Sequence, residues 1–242
     1  MIIILATILC DIKSNILFKY LISIFLISFI SLLLIAQPDI GQTLLVIFCW
    51  AVLIFTSGIN IYILLAIFIA GASLLTYLII YVPRFDYIQG RIFSFFNRET
   101  GTHNFQSDKA IESITSGGFF GKGIGEGVLK NRVPEAHTDY IISVISEEFG
   151  VVAIMLILLL FLILIYMVFK KISFETNDKA KLILIGSISL ILMQATIHIG
   201  VNIRLFPTTG MTLPFLSYGG SSIISTSILA GIILNLTKRK IT

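Results

Sequence analysis

Between Asp39 and Arg84 the chain carries no charged residue. A helix that crosses a bilayer needs roughly 20 apolar residues, because the hydrocarbon is about 30 Å thick and each helical residue advances about 1.5 Å. The charge-free interval is too long for one crossing. Thr56-Ser57-Gly58-Ile59-Asn60 in its middle supplies turn residues. The interval therefore reads as a helical hairpin, residues 43–56 extended to Gly58, then residues 61–82. The same criterion gives four more spans: residues 20–36, extendable through Leu17 and Phe18 if Lys19 snorkels, and residues 149–169, 182–202 and 216–236. Backbone groups in lipid must be bonded internally, so all of these are expected to be helices. The expected fold is an all-α membrane protein, a polytopic bundle of about six transmembrane helices forming a single domain. Composition agrees: 57% hydrophobic and 12% charged residues leave too few charges to cover a water-soluble surface of this size.

The distribution of basic residues orients the bundle. Lys13 and Lys19 precede the first span, Lys170, Lys171, Lys179 and Lys181 fill the fourth connection, and Lys238, Arg239 and Lys240 close the chain. An even number of spans puts these clusters on one side, and the positive-inside rule makes that side, with both termini, cytoplasmic. The net charge of +4 is then mostly topology, and no basic-aromatic nucleic-acid module accompanies it. Residues of about 83–140 fall outside the cytoplasm as one long loop, within which residues 108–117 suggest a short amphipathic helix. A loop of this length is more often functional than idle. Cys10 and Cys49 sit in apolar surroundings without CxxC or His-rich spacing and read as packing residues. Residues 1–10 lack the basic leader and small-residue exit of a signal peptide, with Asp11 and Lys13 following instead; they read as the end of a helix.

Four polar clusters could hold chemistry. The run Ser116 to Gly127 is rich in glycine, but its spacing departs from that of a P-loop and it lies on the side without ATP. Its glycines suit a tight turn at the membrane surface or close approach to a ligand. Pro134-Glu135-Ala136-His137-Thr138-Asp139-Tyr140 stands at the outer mouth of the fourth span. Asp139 there can be read as a helix cap, with Thr138 the alternative cap, or as a functional acid favoured by the helix N-terminus. Gln37-Pro38-Asp39-Ile40-Gly41 is a turn sequence. The run Pro207 to Ser222, with two prolines, three glycines and several hydroxyls, suggests a broken or re-entrant segment, or close helix packing through small residues. Within the fifth span, Gln194, His198 and Asn202 share one face and are expected to bond inside the bundle.

Taken together, Gln-Pro-Asp-x-Gly around Asp39, the Ser-Gly-Gly-x-x-Gly-x-Gly run, Pro-Glu-Ala-His-Thr-Asp followed by Glu147-Glu148-Phe149-Gly150, and Leu-Pro-Phe-x-Ser-Tyr-Gly-Gly-Ser resemble the FtsW/RodA (SEDS) family, its FtsW branch more than its RodA branch. The resemblance implies a peptidoglycan glycosyltransferase of the bacterial inner membrane. Such an enzyme polymerises lipid II, the undecaprenyl-pyrophosphate-linked disaccharide pentapeptide, during cell division, with a class B penicillin-binding protein and other divisome proteins as partners. It implies Asp139 as the essential acid, which would act as general base toward a sugar hydroxyl. The departing pyrophosphate needs cations, for which Arg84, Arg91, Lys122 and Arg132 are the candidates, with a divalent cation as the one cofactor to consider. Glu135, His137, Ser217 and Tyr218 are carried over by the same motifs as substrate-binding residues.

The sequence also departs from the family. The resemblance implies that about four N-terminal spans of ordinary bilayer-crossing length are missing, residues 1–10 looking like the end of the fourth. A fragment, one half of a split protein and an incomplete gene are the alternatives. Thr209 stands where the FtsW branch often has lysine. Two other functions compete with polymerisation. One is a lipid II flippase, disfavoured because the spans carry almost no charge to line a polar path; the other is a truncated, non-catalytic divisome scaffold.

Overall fold

A computed structural model describes residues 1–10, 16–96 and 102–238. Asp11, Lys13, Arg239 and Lys240, named in the sequence analysis, lie outside the described residues. The described chain is helical: α1 (Ile2–Cys10), α2 (Ile16–Ala36), α3 (Ile40–Thr56), α4 (Ile61–Tyr81), α5 (Asp86–Phe96), α6 (Thr102–Gly117), α7 (Ile141–Phe174), α8 (Asp178–Asn202) and α9 (Gly220–Thr237). Short 3-10 turns sit at Pro83–Phe85 and Leu129–Arg132. Five helices, α2, α4, α7, α8 and α9, are long and apolar enough to cross a membrane, and α3 is an apolar helix of 17 residues. These are the six spans expected from hydropathy.

The boundaries moved in informative ways. The sixth span begins at Gly220 rather than at residue 216, because Pro214, Phe215 and Leu216 form a turn in which Phe215 has φ 67°. The loop of residues 83–140 is largely built from α5 and α6, so the amphipathic helix expected from Asp108 starts already at Thr102. At 34 residues α7 exceeds any bilayer crossing, and Gly150 breaks it with φ 76° and ψ −176°, outside helical values. Residues 141–149 are thus a separate helical piece ahead of the spanning piece. A left-handed φ is strained for any residue with a Cβ, which fixes glycine at the break.

The chain forms two compact units. One comprises Met1–Leu75, Ile165–Met193 and Thr226–Thr242. Its core packs Ile2, Leu5, Ala6 and Leu9 of α1 with Ile27 of α2, Cys49, Trp50, Leu53 and Ile54 of α3, and Leu182 and Ile183 of α8. Both cysteines are free thiols, and the Cys49 thiol points at Gly186 O, 3.5 Å away, as packing residues do. Trp50 Nε1–H donates to Ser23 Oγ at 3.4 Å, and that hydroxyl donates to Tyr20 O, so the indole N–H that enters this apolar core has an acceptor. The turn at Gln37–Gly41 is also a cap: Asp39 Oδ1 accepts from Gln42 N at 2.9 Å and starts α3.

The second unit comprises Thr76–Leu164 and Gln194–Ser225. It contains α5, α6, the helical piece 141–149 and the irregular chain that follows α8.

In the first unit, a Cβ built on Gly186 would stand 2.8 Å from Ile2 Cγ2 and 3.0 Å from Leu53 Cδ2. Gly186→Leu is therefore expected to overpack this core and to destabilise the protein by about 1–3 kcal/mol, seen as a lower midpoint in thermal unfolding of the purified protein.

Candidate functional site

The irregular chain from Ile203 to Gly219 contains Pro207, Pro214 and Gly210, which prevent it from continuing α8. Its backbone groups need partners, and one face of α8 provides them. Gln194 Nε2 donates to Thr212 O at 3.0 Å, and His198 Nδ1 lies 2.7 Å from Met211 O, so that ring nitrogen is the protonated one. Asn202 Nδ2 donates to Asp139 O at 3.0 Å. The three side chains expected to bond inside the bundle do so, one helical turn apart. Ser217 Oγ accepts from Leu213 N at 2.8 Å and donates to Thr138 O at 2.7 Å, while Tyr218 N donates to His137 O at 2.9 Å. The segments 134–140 and 203–219 are thus joined to each other and to α8 through main-chain atoms.

This joining sets the position of Asp139. Glu135 adopts φ 55°, and its carbonyl receives the amides of Thr138 at 3.1 Å and Asp139 at 3.0 Å, a tight turn that ends just before α7. The residue directly before the helix is Tyr140, and the Thr138 hydroxyl donates to Glu135 O and Oε2. The helix-cap reading is therefore not supported. Asp139 instead lines a cavity of about 210 Å³ with Arg91, Gln106, Tyr140, Val201, Thr208, Gly210 and Met211. Burial raises the Asp139 carboxyl above the ordinary aspartate range and the nearby charge of Glu135 raises it further, with Arg91 opposing both. Arg91 Nη1 donates to Thr208 O at 3.3 Å, which ties α5 to the opposite wall. Gly210 has φ 67°, and a Cβ there would come within 3.5 Å of Asp139 Oδ2; a longer side chain would intrude on the carboxylate. A smaller cavity adjoins, shared by Arg91 and Thr208 with Ser107 and Arg204, whose guanidinium is ion-paired with Asp108.

A second polar centre lies at the break in α7. Glu147 is fully buried. Its Oε1 accepts from Val128 N and Leu129 N, both at 3.0 Å, and from Lys122 Nζ at 3.2 Å, while Oε2 accepts from Ser113 Oγ at 3.1 Å. The glycine-rich loop is also laced to the helix by main-chain bonds: Lys122 N to Glu147 O at 2.9 Å, Gly123 N to Glu148 O at 3.0 Å, and Val151 N to Gly118 O at 3.0 Å. These bonds take up the carbonyls and amides that the break at Gly150 leaves without helical partners. A buried carboxylate without such donors would be strongly disfavoured.

The residues expected to form one site are therefore distributed. Asp139 and Arg91 line the same cavity. Lys122 is ion-paired with Glu147 at the glycine-rich loop, and Arg132 is exposed at the end of the Leu129–Arg132 turn. Arg84 has its backbone in the Pro83–Phe85 turn, and its side chain lies outside the described residues. Glu135 and His137 are exposed in the turn that presents Asp139, Ser217 is buried and holds that turn, and the Tyr218 side chain is exposed. Gln106, Thr208, Gly210 and Met211 were not singled out from sequence as cavity residues. The broken pattern after α8 pointed to the last three, whereas nothing distinguishes Gln106 from other polar residues of α6. Among the described residues, no group of three or more His, Cys, Asp or Glu is placed to hold a metal ion.

A polytopic helical membrane protein with a half-buried acid in a cavity between a helical loop and the irregular segment that follows α8 is the class these features define. The chain belongs to the FtsW/RodA/SpoVE family: the family's sequence model, described as a cell cycle protein, matches residues 1–241. It is 36% identical over 223 residues to a probable peptidoglycan glycosyltransferase FtsW of Caulobacter vibrioides, covering 89% of this chain and 55% of that protein. It is 38% identical over 221 residues to a protein of the same name in Francisella salina, covering 87% and 53%. Among solved structures, a peptidoglycan synthase complex studied for its coordination of polymerization and crosslinking superposes with a TM-score of 0.77 at 28% identity, covering 98% of this chain and 66% of that one. A mutant of the rod shape determining protein RodA of Thermus thermophilus gives 0.63 at 27% identity, covering 98% and 62%. The chain thus spans about half the length of the curated relatives it matches. With its family and its five long apolar helices, it is a multi-pass protein of the inner membrane.

Removing the Glu147 carboxylate should leave the part-buried Val128 and Leu129 amides without their acceptor. Glu147→Ala is expected to destabilise the loop by about 1–3 kcal/mol for each orphaned group and to accelerate hydrogen exchange at those two amides, with little change at the α1–α3 core.

Proposed function

We propose that this chain carries the acid-bearing part of a peptidoglycan glycosyltransferase that polymerises lipid II, with Asp139 as the general base. The observation that carries the proposal is the Asp139 carboxylate in a cavity it shares with a guanidinium. Chain growth joins an acceptor sugar hydroxyl to an anomeric carbon as a lipid pyrophosphate leaves. A hydroxyl is a weak nucleophile, and a carboxylate that takes its proton in the transition state lowers the barrier. Partial burial, which raises the Asp139 carboxyl, makes it a stronger base than an aspartate in water. Arg91 opposes that rise and offers a cation to the negative charge that accumulates on the departing phosphates. Of the four cations considered for this role, Arg91 is the one whose described side chain lines the cavity. The acid and guanidinium do not form a resident metal site. A divalent cation at the pyrophosphate would be held chiefly by substrate oxygens, as magnesium is with phosphates.

On this reading both termini are cytoplasmic and the Asp139 cavity opens at the outer face, where lipid-linked disaccharide is consumed. The likeness to a solved synthase complex supports a partner that crosslinks the new glycan, here proposed to be a class B penicillin-binding protein of the divisome.

The test is a lipid II polymerisation assay in proteoliposomes, run with the chain alone and with the N-terminal spans of a relative supplied. Glycan strands are expected in at least one preparation, and their absence from both would remove the enzymatic reading. In the active preparation Asp139→Asn should lower the rate by about 10²–10⁴-fold, and an unchanged rate would refute the base assignment.

The pH profile gives a second test. Asp139 acts deprotonated, so its raised pKa puts the acid limb above the pH at which an ordinary aspartate titrates. Glu135→Gln removes a like charge and should move that limb to lower pH; Arg91→Ala removes an opposing charge and should move it higher.

A further inference from the structure

The glycine-rich loop is chemically two-sided. Several of its polar groups are engaged by the helix beside it, Lys122 Nζ by Glu147, Gly125 N by Glu148 Oε1 at 3.1 Å, and the Val128 and Leu129 amides by Glu147, while the Glu126 side chain is exposed. Its large apolar side chains are left uncovered. Phe119 is 75% exposed, Phe120 84%, Ile124 79% and Val128 61%. A loop in water does not normally gather bulky apolar groups this closely, and an exposed patch of this kind marks a surface that meets another phase or partner.

Two main-chain hydrogen bonds set the height of that patch. Val151 N donates to Gly118 O at 3.0 Å and Val152 N to Phe119 O at 3.3 Å. Val151 opens the charge-free apolar run 151–169, the spanning piece of α7. The loop is therefore bonded to the first residues of that apolar run, so its aromatic tip stands at the level where a bilayer around α7 would begin. Aromatic side chains concentrate at that boundary, because their rings tolerate headgroup and acyl surroundings together.

We propose that the loop of residues 118–128 seats Phe119, Phe120 and Ile124 in the headgroup–acyl boundary of the leaflet that α7 enters at Val151. The occupant of the patch is phospholipid, and the hydrogen bonds from Val151 and Val152 argue for it over a water-facing loop or a protein contact. This seating depends neither on the sidedness of the bundle nor on a polymerase activity. It gives the glycine-rich run a physical purpose, to fold a short loop flat against a helix entry. It also makes the loop an anchor that sets how deeply the 141–149 piece stands above the bilayer.

The test uses the full chain reconstituted into bilayers, with Phe120→Trp and, independently, Phe119→Trp. Each replaces an exposed ring, so folding should survive. The natural Trp50 is kept, and the parent protein serves as the baseline. The emission added by the new indole is expected to be blue-shifted and mostly lost when the acyl chains are brominated near the headgroup end, and to resist iodide in the water. Quenching by iodide without quenching by brominated lipid would place the loop in water and overturn the proposal. Resistance to both quenchers at both positions would place it against protein and overturn it equally.

Discussion

A carboxylate buried without water must collect donors, and Glu147 collects them from three directions: a lysine, a serine of α6 and two consecutive amides of the chain after the glycine-rich loop. The cost of burying this charge makes the arrangement cooperative, since each donor is bound only while the others hold the carboxylate in place. The break at Gly150 depends on it. A helix that stops for one residue inside a membrane protein exposes amides and carbonyls that lipid cannot satisfy. The loop pinned by Glu147 supplies those partners. Without this pin the piece 141–149 would have no reason to hold its angle to the spanning segment, and the turn that ends at Tyr140, with Asp139 in it, is continuous with that piece.

Around the cavity the same economy recurs in neutral form. Gln194, His198 and Asn202 satisfy main-chain groups of two loops, so the walls that carry Asp139, Thr208 and Gly210 are positioned by backbone hydrogen bonds. The charged residues of the cavity are then free of structural duty in the walls, apart from the Arg91 bond to Thr208 O. A base raised by burial and a guanidinium beside it can coexist there, because the scaffold holding them does not require their charges to be neutralised against each other.

The spans were legible because hydropathy over some 20 residues is a strong signal, and lipid leaves the backbone one solution. The turn at Asp39 and the polar face of α8 were legible for a similar reason, a local pattern with one physical use. Helix α5 was not. Its sequence, Asp86 to Phe96, mixes apolar and polar residues in a stretch that charge counting assigns to a loop, and it is held by packing on α6 and by the Arg91 bond to Thr208 O rather than by a local pattern. The partition of Glu147 from Glu148 was equally invisible: adjacent identical residues, one buried with four donors and one partly exposed, are distinguished only by which side of the helix the loop covers. The pairing of Lys122 with Glu147, which removes it from the cavity, follows from the same cover. The meeting of Arg91 with Asp139 required knowing how α5 returns against the chain after α8, which no local pattern encodes.

The three amide and imidazole side chains of α8 work as a ruler with its marks one turn apart. Thr212, Met211 and Asp139 are each measured off the same rod, so the two lips of the cavity share a common scale even though they are distant in sequence. A single residue inserted between Gln194 and Asn202 would turn the marks about 100° out of line. The lips would then be gauged from different faces, and the opening between them would lose its calibrated width even with every lining residue intact.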